Sequence, residues 1–146
     1  ISIIDDYAHH PTEIKNTINA ARSLCIGKLI VIFEPHRYSR IIDLYDDFIN
    51  SFDKTDFLFV TNIYAAGEKY IEGISKESII ESIKGTGHKN VNFFENENCM
   101  EIELVDISHK DDFIVFLGAG ASSKKARALE KNMLQLLFKN NSNNLN

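Results

Sequence analysis

The sequence predicts an α/β fold with a mostly parallel sheet and helices on both faces of that sheet. Short runs of branched and aromatic residues alternate along the chain with stretches of helical periodicity. Segments in this rhythm form βαβ units, whose right-handed crossovers pack helices against the sheet. Because 146 residues suffice for one core of this kind, we expect a single three-layer, Rossmann-like domain.

Five apolar runs predict the strands, because each is short and is ended by polar residues, proline or glycine. These strands are residues 1–4, 28–33, 56–61, 91–94 and 113–117. Apolar residues at three- and four-residue spacing predict the helices. These helices are residues 11–25, 41–52, 75–84 and 122–138. The segment 98–108 fits neither period well, and a helix is favoured there.

The composition narrows the classes of partner. The formal net charge of −5 gives the chain no electrostatic footprint for nucleic acid, so any anion site is local. No run approaches the roughly 18 apolar residues of a membrane span, and no signal peptide is recognisable. We therefore expect a cytoplasmic protein. Cys25 and Cys99 lack CxxC spacing and are expected to be reduced, packed thiols. Because the first residue is not methionine, we also expect a fragment of a longer protein.

Polar residues cluster in the loop after the first predicted strand, at the edge where parallel sheets bind ligands. Residues 5–11 place two carboxylates, a phenol and two imidazoles between a strand and a helix N-terminus. Asp and His are zinc ligands, so a metal site is one interpretation, although no third spaced ligand set accompanies them. Turn formation and helix capping are another interpretation. The residues alone leave both open.

Arg37 and Arg40 lie where the second predicted helix begins, a position that is unfavourable for cations. The helix dipole costs each exposed arginine roughly 0.3–1 kcal/mol, whereas a charge-assisted bond to an anion returns about 1.5–3 kcal/mol. If the segment forms one helical turn, both guanidinium groups face one side and could grip a carboxylate or phosphate. The alternative is that both arginines are solvated and paired with Asp43 or Asp47.

Glycines follow the last predicted strand and could allow a phosphate to approach the backbone. A dinucleotide fingerprint, however, needs a further glycine where Ser123 stands after Gly118 and Gly120. Tight packing of the strand against the next helix explains these glycines equally well. Residues 85–89 lack P-loop spacing and follow a helix, so the chain has no Walker A motif.

Three blocks of sequence resemble the third domain of the UDP-N-acetylmuramate:L-alanine ligases, a branch of the Mur ligase family. They are DDYAHHPTEI at 5–14, FEPHRYSR at 33–40 and YAAGE at 64–68, in that family's order and spacing. The resemblance covers residues 1–138, and 139–146 are expected to be a disordered, Asn-rich tail. The sequence departs from the family's pattern after the glycines, at Ala121-Ser122-Ser123.

The resemblance implies ATP-dependent amide formation in peptidoglycan synthesis, and thereby a part in cell-wall growth, cell shape and cell division. The muramyl carboxylate becomes an acyl phosphate, and the amine of L-alanine displaces the phosphate. Missing domains are expected to bind UDP-N-acetylmuramate and to supply the P-loop and the Mg²⁺ ligands. The isolated domain should therefore be inactive, and neither nucleic acid nor a membrane is an expected partner.

The resemblance also implies roles for residues of the first two blocks. Asp6, Tyr7 and His9 are expected beside ATP, with Asp6 accepting hydrogen bonds from the ribose. The residues expected to hold the alanine carboxylate and neighbouring anionic oxygens, once the domains close, are His9, His36, Arg37 and Arg40. Two alternatives are a murein-tripeptide recycling ligase, whose arginine block differs, and a non-catalytic nucleotide-sensing domain of the same fold.

Overall fold

A five-stranded parallel sheet forms the centre of the domain. The computed structural model describes the main chain of residues 1–143 and the side chains of residues 1–135. Its strands are β1 (Ser2–Asp6), β2 (Leu29–Phe33), β3 (Phe57–Val60), β4 (Val91–Asn92) and β5 (Phe113–Leu117). They lie in the order β1-β5-β2-β3-β4. The last strand of the sequence therefore lies between the first two, which brings the loop after β5 next to the loops after β1 and β2.

Helices cover both faces of the sheet. They are α1 (Pro11–Leu24), α2 (Tyr38–Asp43), α3 (Tyr45–Ile49), α4 (Lys76–Gly85), α5 (Met100–Ile107) and α6 (Ser122–Asn143), with a 3-10 turn at Glu97–Cys99. Apart from Pro11, the buried apolar residues of α1 to α4 belong to one cluster, and those of α5 and α6 belong to a second. The predicted three-layer α/β fold, with its largely parallel sheet, is confirmed.

Strand β2 shows why the apolar runs of the sequence are continuous. All five of its residues are at most 1% exposed. Leu29, Val31 and Phe33 lie in the first cluster, and Ile30 and Ile32 lie in the second. A strand with one face in water would instead alternate apolar and polar residues. Burial of both faces is therefore the cause of the unbroken apolar run.

The single helix predicted for residues 41–52 is wrong, because two short helices, α2 and α3, meet at Leu44. Leu44 has φ −120° and ψ 25°, outside the α-helical region. Asp46 and Asp47 lie in the first turn of α3, where carboxylates complement the positive end of the dipole and favour a new N-terminus. The buried residues of both helices still lie in the first cluster, so the apolar stripe survives the break.

Two predictions concern the later part of the chain. The segment 98–108 is helical over most of its length, as favoured from the sequence, because it contains α5. Helix α6 continues to Asn143, so residues 139–143 of the predicted tail lie in this helix. Residues 144–146 fall outside the described residues, and their disorder stays a prediction. Within the described part of the chain, no helix has both the length and the apolar character that a bilayer crossing requires.

The two cysteines are both free thiols but differ in environment. Cys25 is buried, and its thiol donates to the Lys28 carbonyl at 3.3 Å. The prediction of a packed thiol is wrong for Cys99, which is exposed. The next residue, Met100, is 2% exposed and packs into the second cluster in its place.

His88 lies in the loop between α4 and β4 and is hydrogen-bonded as a neutral imidazole. The Thr55 hydroxyl donates to the Phe52 carbonyl at 2.8 Å, so the 2.8 Å contact of Thr55 with His88 requires Nε2–H as the donor. Nδ1 then accepts from the Asn90 N–H at 3.3 Å, and a second imidazole proton would face that N–H. Burial lowers the pKa of His88, although nearby carboxylates act in the opposite direction.

Acidification should therefore destabilise the domain through His88. Because its pKa in the folded chain is below the ordinary value of 6.5, the unfolded chain binds more protons as the pH falls below that value. The stability that neutral His88 contributes is fully present above pH 6.5 and is lost as the pH falls through the lowered pKa of the folded chain. We expect the free energy of unfolding to fall more steeply in the wild type than in His88→Gln between about pH 7 and 5.5. Parallel profiles from urea denaturation would contradict this role.

Candidate functional site at the carboxyl edge of the sheet

Four rings form a row at the carboxyl edge, in the loops that follow β1, β2 and β3. The ring centroids of Tyr7 and His9 are 5.5 Å apart, and those of His9 and His36 are 5.6 Å apart. The centroids of His36 and Tyr64 are 5.3 Å apart. The row is accessible from solvent, since Tyr7 is 65% exposed. The fold thus brings together His9 and His36, which the sequence places in separate loops.

His36 accepts a hydrogen bond from Arg40. The guanidinium nitrogen lies 2.9 Å from His36 Nδ1, and because a guanidinium only donates, Nδ1 carries no proton. Burial lowers the pKa of His36 most, followed by electrostatic interactions with Arg40, His9 and Arg37, whereas Glu68 raises it. Near neutral pH the edge therefore presents an uncharged donor, the Nε2–H of His36, among cationic groups.

Arg37 is the N-cap residue of α2 and its side chain is exposed. The one helical turn that would contain both arginines does not form, because only Arg40 lies within the helix. Arg37 has φ 66° and ψ 129°, a left-handed conformation that costs a residue with a Cβ of order 1–3 kcal/mol. Among residues 1–135, neither arginine forms an ion pair with Asp43 or Asp47, so the structure does not support the interpretation of paired arginines.

Asp6 ends β1, and its carboxylate accepts two internal hydrogen bonds. Oδ1 accepts from the Ala8 N–H at 2.8 Å, and Oδ2 accepts from the Thr17 hydroxyl at 2.8 Å. His10, the N-cap of α1, accepts from the Thr12 N–H at 3.3 Å. The interpretation of this loop as a turn and a cap is therefore correct for these two residues. Each carboxylate oxygen of Asp6 still has a lone pair for a ligand hydroxyl.

Glu68 is a residue at this edge that the sequence does not single out. Its Oε1 lies 3.4 Å from the backbone nitrogen of Ser39, in the first turn of α2. A side-chain hydrogen bond from Ser39 is the main cause that lowers the pKa of Glu68, and the charges of Arg37 and Arg40 lower it further. An ionised carboxylate therefore lies near enough to the two arginines to interact with their charges, although no ion pair forms among the described residues. Nothing in the spacing of the YAAGE block indicates this contact with α2.

Glu34 is a second residue for which the sequence predicts no role. It follows β2 directly and is only 4% exposed. Its Oε1 accepts from the Gly120 N–H at 2.9 Å, and its Oε2 accepts from the Ala121 N–H at 3.2 Å. These N–H groups lie just before α6, which begins at Ser122, so no carbonyl of that helix can accept from them. The available signal was a charged residue placed directly after a fully buried strand.

The glycines after β5 allow close packing. A Cβ at Gly118 would lie 2.8 Å from the Cβ of Glu34. A Cβ at Gly120 would lie 2.6 Å from Glu34 Oε1 and 2.9 Å from the ring of Tyr64. The tight-packing interpretation is therefore correct. The interpretation as a phosphate loop is not supported, because the Glu34 carboxylate takes the N–H groups that a phosphate would use.

Comparison with known proteins identifies the family. The family model described as "Mur ligase, glutamate ligase domain" matches residues 1–120. The chain is 42% identical over 129 residues to the UDP-N-acetylmuramate–L-alanine ligase of Agrobacterium fabrum, and 41% identical over 133 residues to that of a Chelativorans species. These alignments cover 88% and 91% of this chain but only 27% and 29% of the relatives. The chain thus spans less than a third of the length of these curated relatives.

Solved structures agree with this assignment. The UDP-N-acetylmuramate-alanine ligase of Thermotoga maritima superposes with a TM-score of 0.69 at 27% identity, over 91% of this chain and 26% of that one. A murein peptide ligase of Psychrobacter arcticus superposes with a TM-score of 0.67 at 19% identity, over 88% of this chain and 26% of that one, which supports the fold alone. As the three sequence blocks predict, the chain belongs to the Mur ligase family and corresponds to its C-terminal, glutamate ligase domain.

Proposed function

We propose that this chain is the C-terminal domain of an ATP-dependent UDP-N-acetylmuramate:L-alanine ligase, and that its carboxyl edge holds the L-alanine carboxylate. The observation that carries the proposal is the cluster of Arg37, Arg40, His9 and His36 at that edge. Neither arginine takes part in an ion pair among the described residues, so both can serve an anion. The names of the curated relatives support alanine as the amino-acid substrate.

A clamp on the carboxylate suits the chemistry of amide formation. The amine of alanine must be neutral and aimed at the activated carboxyl group, while its own carboxylate stays charged and is held in place. Arginine offers paired N–H donors that match a carboxylate, and it does not titrate. The Nε2–H of His36 adds a donor without adding charge. These side chains would therefore orient alanine rather than exchange protons with it.

ATP is the second proposed ligand, and the first loop fits it. When bound, ATP supplies the phosphoryl group that activates the muramyl carboxylate as an acyl phosphate. Asp6 has a remaining lone pair on each oxygen, which suits the donated hydrogen bonds of ribose hydroxyls. The exposed Tyr7 and the neighbouring His9 lie in the same loop and offer ring surfaces to the nucleotide.

Further domains are proposed to complete the active site. Within the described residues, no group of three or more His, Cys, Asp or Glu residues could hold a metal ion, so a metal site in the first loop gains no support. We assign Mg²⁺, the P-loop and UDP-N-acetylmuramate to regions beyond this chain. Closure of the cationic edge over those regions would exclude water from the acyl phosphate. The isolated chain should then be inactive.

Phosphate release tests the proposed function. The complete enzyme, given ATP and UDP-N-acetylmuramate, should release phosphate when L-alanine is added and should not respond to murein tripeptide. The 146-residue chain alone should release none. Faster turnover with the tripeptide would overturn the proposal in favour of a recycling ligase. ATP binding without turnover of either substrate would favour a nucleotide-sensing domain.

Replacing Asp6 should separate nucleotide binding from alanine binding. Asp6→Asn keeps an oxygen for the Ala8 N–H, so the turn should survive, but it removes the charge and one acceptor oxygen. We expect the Michaelis constant for ATP to rise about three- to tenfold and that for alanine to change by less than about twofold. Thr17→Val is the matched control, because it removes the internal donor and leaves the carboxylate intact. If steady-state kinetics show an unchanged Michaelis constant for ATP, Asp6 does not contribute to nucleotide binding.

A further inference from the structure

Tyr64 joins the loops after β2 and β3 through its main chain. Its N–H donates to the Pro35 carbonyl at 2.8 Å, and its carbonyl accepts from the Arg37 N–H at 2.8 Å. Pro35 and Arg37, the residues on both sides of His36, are therefore hydrogen-bonded to Tyr64. This pattern is an isolated parallel bridge between His36 and Tyr64. The second of these bonds also holds the backbone of Arg37 in its left-handed conformation.

The ring of Tyr64 has two neighbours that restrict it. It is stacked on the imidazole of His36, with an angle of 10° between the ring planes and 5.3 Å between the centroids. It also lies against Gly120, where an added Cβ would be 2.9 Å from Tyr64 Cδ2. Because χ2 of histidine is soft, the direction of the imidazole depends on such contacts. The stack and the bond from Arg40 together determine where Nε2–H faces.

We propose that Tyr64 is a positioning residue, whose ring fixes the plane of the His36 imidazole and thereby the place at which His36 and Arg40 meet the alanine carboxylate. The part of this inference that concerns alanine rests on the proposed function. The part that concerns His36 does not. Tyr64 is 45% exposed, so part of this residue stays accessible to solvent at the edge.

Loss of the ring should change the titration of His36 in a predictable direction. Burial is the largest cause that lowers the His36 pKa, and the stacked ring contributes to that burial. The titratable and charged groups near His36 are Arg40, His9 and Arg37, which lower its pKa, and Glu68, which raises it. None of these groups is altered by a substitution at Tyr64. Removal of the ring should therefore move the pKa of His36 upward.

An NMR titration of His36 in the 146-residue chain tests the positioning directly. We expect Tyr64→Leu to raise the His36 pKa and Tyr64→Phe, which keeps the ring, to leave it unchanged. An unchanged pKa in a folded Tyr64→Leu chain would overturn the inference. If Tyr64→Leu does not fold, Tyr64→Met serves instead, because it removes the ring but keeps a long, flexible apolar side chain at this position. The same upward shift is expected, and its absence counts equally against the inference.

Kinetics of the complete enzyme separate this inference from the proposed function. Tyr64→Leu should raise the Michaelis constant for alanine about three- to tenfold, with kcat and the ATP constant changed by less than about twofold. Tyr64→Phe should restore the wild-type value. If the His36 pKa rises while the Michaelis constant for alanine does not, Tyr64 positions His36, but the proposal that this edge binds the alanine carboxylate is wrong. If both stay unchanged, Tyr64 has no positioning role.

Discussion

Replacing Arg37 with alanine in the complete enzyme should raise the Michaelis constant for L-alanine by about ten- to hundredfold, which corresponds to the loss of one charge-assisted hydrogen bond. The Michaelis constant for ATP should change by less than about threefold, because Asp6 and Tyr7 carry the proposed nucleotide contacts. Arg37 is exposed, and its side chain has no ion-pair partner among residues 1–135. The fold therefore loses little when the guanidinium is removed, and the effect should appear in substrate binding.

Three control variants make the Arg37 result specific. Arg37→Gly removes the same side chain but relieves the left-handed backbone, so it should match the alanine variant in kinetics while unfolding at a higher temperature. Arg37→Lys keeps the charge and loses the paired donors, so it should fall between the wild type and Arg37→Ala. Arg127→Ala removes an exposed arginine of α6 and should have no effect on either constant. An alanine constant that stays at the wild-type value in Arg37→Ala would remove this residue from the clamp.

Replacing Glu34 with alanine should cost the domain about 2–4 kcal/mol of stability. Its carboxylate is the acceptor for the Gly120 and Ala121 N–H groups, which would be left without protein partners near the start of α6. Glu34→Gln keeps one acceptor oxygen, so about half of this loss is expected. Urea denaturation gives the free energy of unfolding for each variant.

The matched control for Glu34 is Glu72→Ala, which removes an exposed carboxylate in the loop before α4. A surface change of this kind should alter stability by less than about 0.5 kcal/mol. A Glu34→Ala chain as stable as the wild type would show that water replaces the carboxylate at the glycine turn. The turn would then depend on Gly118 and Gly120 alone.

The fold could be predicted because its signals are local in sequence. The apolar run 29–33 predicts a strand buried on both faces, and the structure confirms this burial. The break at Leu44 could not be predicted in the same way, because the apolar spacing continues through it. The cause lies in Asp46 and Asp47, which favour a new helix N-terminus where the periodicity indicates none.

The site could be predicted only in part. The rule that ligands bind at the carboxyl edge of a parallel sheet led to the loops of His9, His36, Arg37 and Arg40, and the structure brings His9 and His36 together there. The contacts of Glu34 depend instead on the strand order. Because β5 lies between β1 and β2, Gly120 lies beside Glu34, although 86 residues separate the two in the sequence.

Contacts of this kind, made between distant segments, leave no periodicity in the sequence. The contact of Glu68 with Ser39 is of the same kind, since it joins the loop after β3 to the first turn of α2. Such residues are therefore found only once the strand order is known.

The most direct test is a crystal structure of the complete enzyme with a non-hydrolysable ATP analogue, UDP-N-acetylmuramate and L-alanine. We expect the alanine carboxylate oxygens to lie about 3 Å from guanidinium nitrogens of Arg37 or Arg40, with His36 Nε2 on the same side. An alanine carboxylate bound to another domain, with both arginines of this edge in solvent, would contradict the proposed function at its centre.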